Sequence, residues 1–270
     1  MADVNAEMLA KFAREKHIRR TFTDADAMIA DPNIDVIYIA TPHTFHYPYI
    51  KQALNAGKHV FAEKAITVNA KQFDEVQALA KAKGLILTEG LTLLHMPLYQ
   101  KVQALIAAGK LGDIHMVQVN FGSLKDYDPQ NRFFNKDLAG GALLDIGGYA
   151  TAFARTFLNQ QPNVSLTTVK YFPTGVDEQS GIILKTPDEQ MAVMALSLRA
   201  KQPKRGVISG TKATSKSMIT RGQQPRKSRT LLTPTPPLLR PLPRGTRRMR
   251  WSTRCRTCSG TLIKAMMMAN

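Results

Sequence analysis

Three short stretches hold residue types that could do chemistry together. Glu63-Lys64 closes an apolar run, Lys58-His-Val-Phe-Ala62, that reads as a buried strand. In open parallel sheets ligands bind beyond the carboxyl ends of the strands, so a charged pair here stands where a ligand would sit. A solvated strand-end lysine fits the same position, and position alone favours that plainer reading. The second stretch is Gly140-Gly-Ala-Leu-Leu-Asp-Ile-Gly-Gly-Tyr149. Its glycines allow close backbone approach and a sharp entry to a helix. Asp145 and Tyr149 are four apart and would share one helix face. A carboxylate beside a phenol could handle the proton of a substrate hydroxyl; an aspartate cap beside a packed tyrosine fits the spacing equally. The third is Ala40-Thr41-Pro42, which ends another apolar run and is followed by His43 and His46. Two histidines with no acidic or cysteine cluster nearby are a poor start for a zinc site, so no metal is expected.

These groups need elements to hold them. Residues 3–16 read as an amphipathic helix carrying Met8, Leu9, Phe12 and Ala13 on its apolar side. A short helix covers 24–30, and Asp35–Ala40 is a continuous apolar strand of the kind buried on both faces in a parallel sheet. A helix over 46–56, a strand over 58–62, a helix over 69–83 and a strand over 85–88 follow. This βαβαβ run predicts a parallel sheet with helices on its faces. Beyond Glu89 the order changes. A helix at 97–108, a strand at 114–121, a helix ending near 158 and strands at 165–172, 180–184 and 191–198 predict a second, α+β domain with a mixed or antiparallel sheet.

Composition separates this body from a tail. The 270 residues carry a formal net charge of +17, which invites a nucleic-acid reading. Residues 213–270 hold 13 Lys and Arg and no acid, leaving 24 basic against 20 acidic side chains in the rest. Function argued from net charge is therefore argued from the tail, where Cys255-x-x-Cys258, the prolines of 234–243 and the arginines of 244–256 with Trp251 also lie. Two cysteines make no disulfide framework, so a cytoplasmic chain is expected. No apolar run of about 18 residues is present to span a membrane.

In order and separation, three segments resemble the Gfo/Idh/MocA family of nicotinamide-dependent oxidoreductases. They are Asp31-Pro-Asn-Ile-Asp-Val-Ile-Tyr-Ile-Ala-Thr-Pro-His-Thr-Phe-His46, Gly57-Lys-His-Val-Phe-Ala-Glu-Lys-Ala65 and the Gly140–Tyr149 run. The likeness spans about residues 3–213 and is nearest the branch acting on dihydrodiols and sugars, which has Tyr where many members have His. The resemblance implies an α/β chain: an incomplete Rossmann-type domain over 1–89, an incomplete α+β domain over 90–213 and a disordered basic tail over 214–270. It implies Lys64, Asp145 and Tyr149 as catalytic residues. Thr41, Pro42, His46, Glu63 and Lys64 would line the cofactor pocket, with Arg132 and Phe133 bordering the substrate. The family's Glu-Lys-Pro motif reads Glu63-Lys64-Ala65 here, and loss of the proline removes a fixed φ. The implied reaction is hydride transfer between NAD or NADP and a carbinol carbon of a sugar, polyol or dihydrodiol. Tyr149 would exchange the hydroxyl proton, and Lys64 would hold the phenol below its ordinary pKa of about 10 or relay the proton. Family members tend to form homo-oligomers.

Both ends depart from the family pattern. The family's opening strand and Gly-x-Gly-x-x-Gly/Ala turn have no counterpart, about 35 residues by the size of a βαβ unit. That predicts weakened cofactor binding, an uncovered sheet face, an exposed sheet edge and an impaired or inactive chain. At the back, Thr214–Arg229 and Met249–Cys258 both back-translate, with a two-nucleotide shift, into text like the family's own. A frameshift near codon 213 accounts for the loss of acidic residues there. The alternative is a nucleic-acid-binding protein acting through the basic tail.

Overall fold

The computed structural model describes residues 1–218 and 231–234, in two compact units. The first comprises Met1–Gly90 with Asp137–Ala139, and the second Leu91–Lys136 with the described residues from Gly140 onward.

The first unit is built on strands β1 (Val36–Ile39), β2 (His59–Ala62) and β3 (Leu87–Glu89), parallel and in that order. Helices α1 (Ala6–Glu15), α2 (Ala25–Ala30), α3 (His46–Asn55) and α4 (Ala70–Ala82) accompany them. The caps follow from sequence: Asn5, Asp24 and Asn69 each accept backbone N–H bonds of the turn they open. Ile37, Ile39, Val60 and Ala62 meet Ile50, Ala53, Leu54, Phe73, Val76 and Ala80 in one apolar cluster. The alternate residues do not follow. Val36 and Tyr38 are each 55% exposed and Phe61 is also exposed, so β1 is buried on one face rather than on both. An apolar strand can bury both faces only where both are covered, and the helices of this unit lie over one. Along α1, Leu9 is buried while Met8 and Phe12 stay exposed, so the expected apolar face is largely uncovered.

The second unit contains helices α5 (Pro97–Ala107) and α6 (Gly148–Phe157) and a seven-stranded mixed sheet. Its strands are β4 (Ile114–Gly122), β5 (Val164–Tyr171), β6 (Asp177–Lys185), β7 (Met191–Ser197), β8 (Arg205–Gly210), β9 (Ala213–Met218) and β10 (Leu231–Pro234). The order is β10-β9-β8-β4-β7-β6-β5, with β4 and β7 parallel and the other pairs antiparallel. Helix α6 lies on this sheet through Phe153, which is fully buried. A Cβ at Gly206 of β8 would sit 2.2 Å from the Phe153 ring, so glycine is what lets strand and ring meet.

Two described strands lie within the stretch expected as a disordered tail from residue 214, and move its start beyond Met218. β9 runs to Met218 and pairs with β8, and β10 pairs with β9. Ala213 and Ser215 are buried while Lys216 is exposed. That two-residue alternation with small inward side chains suits a strand, and the free edge of β8 supplies its hydrogen bonds. The cysteines and the Trp251 region of the tail lie outside the described residues. Among the described residues, no helix is long and apolar enough to cross a membrane.

Candidate functional site

In the first unit the site residues gather at the carboxyl ends of β1 and β2. Lys64 is 5% exposed, with Ala65 and Ile66 buried beside it. A lysine this enclosed at a strand end is no longer the solvated one that position alone favours. The Lys64–Ala65 peptide is cis. Glu63 follows β2 and its Oε1 accepts a 2.7 Å bond from the Tyr38 hydroxyl of β1, which holds that phenol above its ordinary pKa.

Thr41 and Pro42 form the turn leaving β1, ahead of a 3-10 turn, His43–Phe45. His46 opens α3 and is completely buried. Its Nδ1 lies 2.8 Å from the Ala65 carbonyl oxygen and its Nε2 2.9 Å from that of Thr41. Both partners accept, so both bonds exist together only on the imidazolium. Burial works the other way and lowers the ring's pKa, with the Lys64 charge adding to it. His46 packs its two ring nitrogens against the turn after β1 and the loop after β2, donating to one of the two carbonyls as the neutral ring and to both only when charged. The His46 and His43 rings stand perpendicular with centroids 5.7 Å apart, and His43 Nδ1 lies 3.1 Å from the Ala139 carbonyl oxygen. Among the described residues no three His, Cys, Asp or Glu side chains come together as metal ligands would.

The second unit holds the rest. The segment Leu143–Gly147 is a π-helical turn that leads into α6, a geometry frequent at functional sites. Asp145 sits inside that turn, 3% exposed, and does not cap it. The carboxylate receiving the turn's first N–H is Asp177, whose Oδ2 accepts from Leu143 N at 2.8 Å and from Ser180 Oγ at 3.1 Å. The glycine pair makes this approach possible. Gly141 has φ +109°, and a Cβ there would lie 2.2 Å from Asp177 Oδ1. A Cβ on Gly140 would lie 2.7 Å from the carbonyl oxygens of Arg132 and Phe133.

Burial raises the Asp177 pKa above the usual carboxylate range, although its hydrogen bonds pull it down. The folded state then holds a proton that the unfolded state has released. Between the ordinary carboxylate pKa and the raised one, stability falls as pH rises. Asp177→Asn is expected to remove that slope while still accepting the Leu143 N–H. Urea midpoints of parent and variant between pH 4 and 8 check this; parallel curves would refute it.

Asp145 and the Arg132–Phe133 loop are brought together through Lys125. Its Nζ is 4.0 Å from Asp145 Oδ2 and 3.6 Å from the centre of the Phe133 ring. The Arg132 guanidinium stands 4.2 Å from the same ring. Tyr149, on α6, is 6% exposed and stacks on Phe121 of β4, centroids 5.7 Å apart and planes 8° from parallel. Lys125 and Phe121 escaped the sequence reading because nothing in their spacing marks them. Glu89 ends β3 and could have been found by the strand-end rule that picked out Lys64.

Comparisons with known proteins bear on both units. Residues 1–91 match the family described as an oxidoreductase family with an NAD-binding Rossmann fold. Residues 99–216 match the GFO/IDH/MocA C-terminal domain. A trans-1,2-dihydrobenzene-1,2-diol dehydrogenase of Xenopus tropicalis is 32% identical over 207 residues, 76% of this chain and 62% of the relative. A D-xylose 1-dehydrogenase (NADP(+)) of Hypocrea jecorina is 34% identical over 198 residues, 67% of this chain and 50% of the relative. The chain thus spans less than two thirds of these relatives' length. Among solved structures, a 3-ketoreductase of Actinomadura kijaniata, in complex with NADP and TDP-benzene, aligns with a TM-score of 0.76 at 23% identity. The alignment covers 86% of this chain and 75% of that one. An aldose-aldose oxidoreductase of Caulobacter crescentus aligns at 0.75 and 24% identity, over 89% and 75% of the two chains. At these identities the two structures speak to the fold.

Proposed function

Because the chain belongs to the Gfo/Idh/MocA family of oxidoreductases, we propose that it moves hydride between a nicotinamide cofactor and a CH–OH carbon of a sugar, polyol or dihydrodiol. The observation that carries this reading is the enclosed Lys64 at the end of β2, within the stretch that matches an NAD-binding family.

The strand ends fit the nicotinamide end of such a cofactor. Thr44 Oγ1, in the turn after β1, is buried without a hydrogen-bond partner among the described residues. Buried hydroxyls are normally satisfied, and a polar ligand group beyond this strand end would do so. Thr41, Pro42, Glu63 and Lys64 would hold that end, and His46 would act through the two turns it packs against. When bound, the nicotinamide supplies or accepts the hydride at C4. Tyr149 would take the proton from the substrate hydroxyl in oxidation and return it in reduction. Lys64 would bring its positive charge to the strand ends that hold the nicotinamide. Asp145, with Lys125 against it, would orient the hydroxyl, and the Phe133 ring between Lys125 and Arg132 would border the substrate.

The pyrophosphate end fits less well. Neither the turn after β1 (residues 40–45) nor that after β2 (residues 63–69) contains a glycine. A backbone cradle for pyrophosphate needs such residues at a helix N-terminus. The 270-residue chain is expected to bind NADH and NADPH more weakly than the micromolar range, which a fluorescence titration measures. The reaction is tested at millimolar cofactor, with both 4-deuterated stereoisomers of NADH and NADPH, against ketoses, aldoses and diketones. Deuterium in an alcohol product is the expected result; no transfer from any cofactor to any carbonyl compound would overturn the reading.

A further inference from the structure

Helix α3 fastens the Lys64 loop through His46, and a second group fastens it from the strand side. Glu89 is the last residue of β3, paired in register with Ala62, the last of β2. Gly90 N donates to the Ala62 carbonyl at 2.7 Å, so the two strand ends stay side by side beyond the ladder. The half-buried Glu89 carboxylate reaches past this point, and its Oε1 accepts the Ile66 N–H at 2.9 Å. Ile66 is two residues after Lys64, and the Ala65 carbonyl between them faces His46. Two consecutive residues after Lys64 are thus held by side chains from different elements. We propose that Glu89 is a positioning residue for Lys64, holding the loop after β2 from the β3 side as His46 holds it from α3.

The proposal rests on the role of Lys64 in hydride transfer and adds to it a residue of the neighbouring strand β3. A charge-assisted bond from a carboxylate to a backbone N–H is shorter and stronger than a neutral one. Leaving the Ile66 N–H without that partner would cost its hydrogen bond in a region sheltered from water. The carboxylate also acts on the lysine through space. Burial raises the Glu89 pKa, the Ile66 N–H and the Lys64 charge lower it, and the Glu63 charge raises it. Lys64 and Glu63, both at the end of β2, are the charged groups that bear on it.

The test has two readouts that need no catalysis. The first is amide hydrogen exchange at Ile66, with Val119 of β4 as a control. Glu89→Leu is expected to speed exchange at Ile66 at least tenfold and to leave Val119 unchanged. Glu89→Gln, which keeps an acceptor oxygen, is expected to stay within about twofold of the parent. The second is the titration of the Glu89 carboxyl carbon by NMR. In Lys64→Met it should move to higher pH, because a positive charge that favours the carboxylate is removed. With turnover, Glu89→Leu should lower kcat with KM little changed, and Glu89→Gln should restore most of it. If Glu89→Leu does not fold, the Glu89→Gln exchange rate and the Lys64→Met titration still decide. Unchanged exchange at Ile66 in Glu89→Leu, more than tenfold faster exchange in Glu89→Gln, or an unshifted Glu89 titration would overturn the proposal. Activity persisting in Lys64→Met with the exchange and titration results as expected would sink the hydride-transfer role of Lys64 and leave the positioning contact standing.

Discussion

Tyr149→Phe is expected to lower hydride transfer by about 10²–10⁴-fold, the range for losing a general acid–base group, with the fold intact. The substitution removes one hydroxyl and little else. The ring is stacked on Phe121 and almost wholly enclosed, and phenylalanine keeps that contact. Large stability losses come from cavities or stranded polar groups, and this change creates no cavity. A urea midpoint near that of the parent, together with collapsed kcat, would separate chemistry from folding. A variant that transfers deuterium within a few-fold of the parent would exclude Tyr149 as the proton-exchanging group.

Lys64→Met should be comparably severe, for a reason carried by the first unit. Methionine fills much of the same volume in an enclosed position but brings no charge. Transfer is expected to fall by at least about 10²-fold. Lys64→Arg should not rescue it, because a planar fork cannot replace a compact ammonium in a site formed around one. An independent signal accompanies the loss. The Lys64 charge helps to depress the His46 pKa, so His46 should titrate at higher pH in Lys64→Met than in the parent. The sign follows from removing a positive neighbour that disfavours the imidazolium. Activity retained in Lys64→Met would remove the central residue of the proposed mechanism.

The exposed side of β1 and β2 shows how an apolar sequence can mislead about burial. Val-Ile-Tyr-Ile reads as a strand for a two-sided core, yet Ile37 and Ile39 face the helices while Val36 and Tyr38 meet solvent. Hydrophobicity says that a strand can be buried; the layer above it decides whether it is. The same holds for β9. A serine-rich stretch in a basic setting has a weak strand signal, and pairing with β8 settles its conformation.

What the sequence determined by itself was local or carried by contiguous motifs. The parallel pairing of β1, β2 and β3 followed from alternating strand and helix periods, and helices beginning near Asp24 and Asn69 from the same pattern, whereas the first helix, read from residue 3, opens only after its cap at Asn5. Lys64 could be picked out because it ends a strand, and Asp145 and Tyr149 because a glycine-rich run introduces them. Tertiary structure decided what those residues touch. It enclosed Lys64, packed His46 between two strand ends, gave the helix cap to Asp177 instead of Asp145, and set Lys125 against Asp145 and Phe133. Periodicity and capping act over one or two turns of chain and leave a mark in spacing. Burial and charge pairing join residues far apart in sequence, so they exist only once the chain has folded.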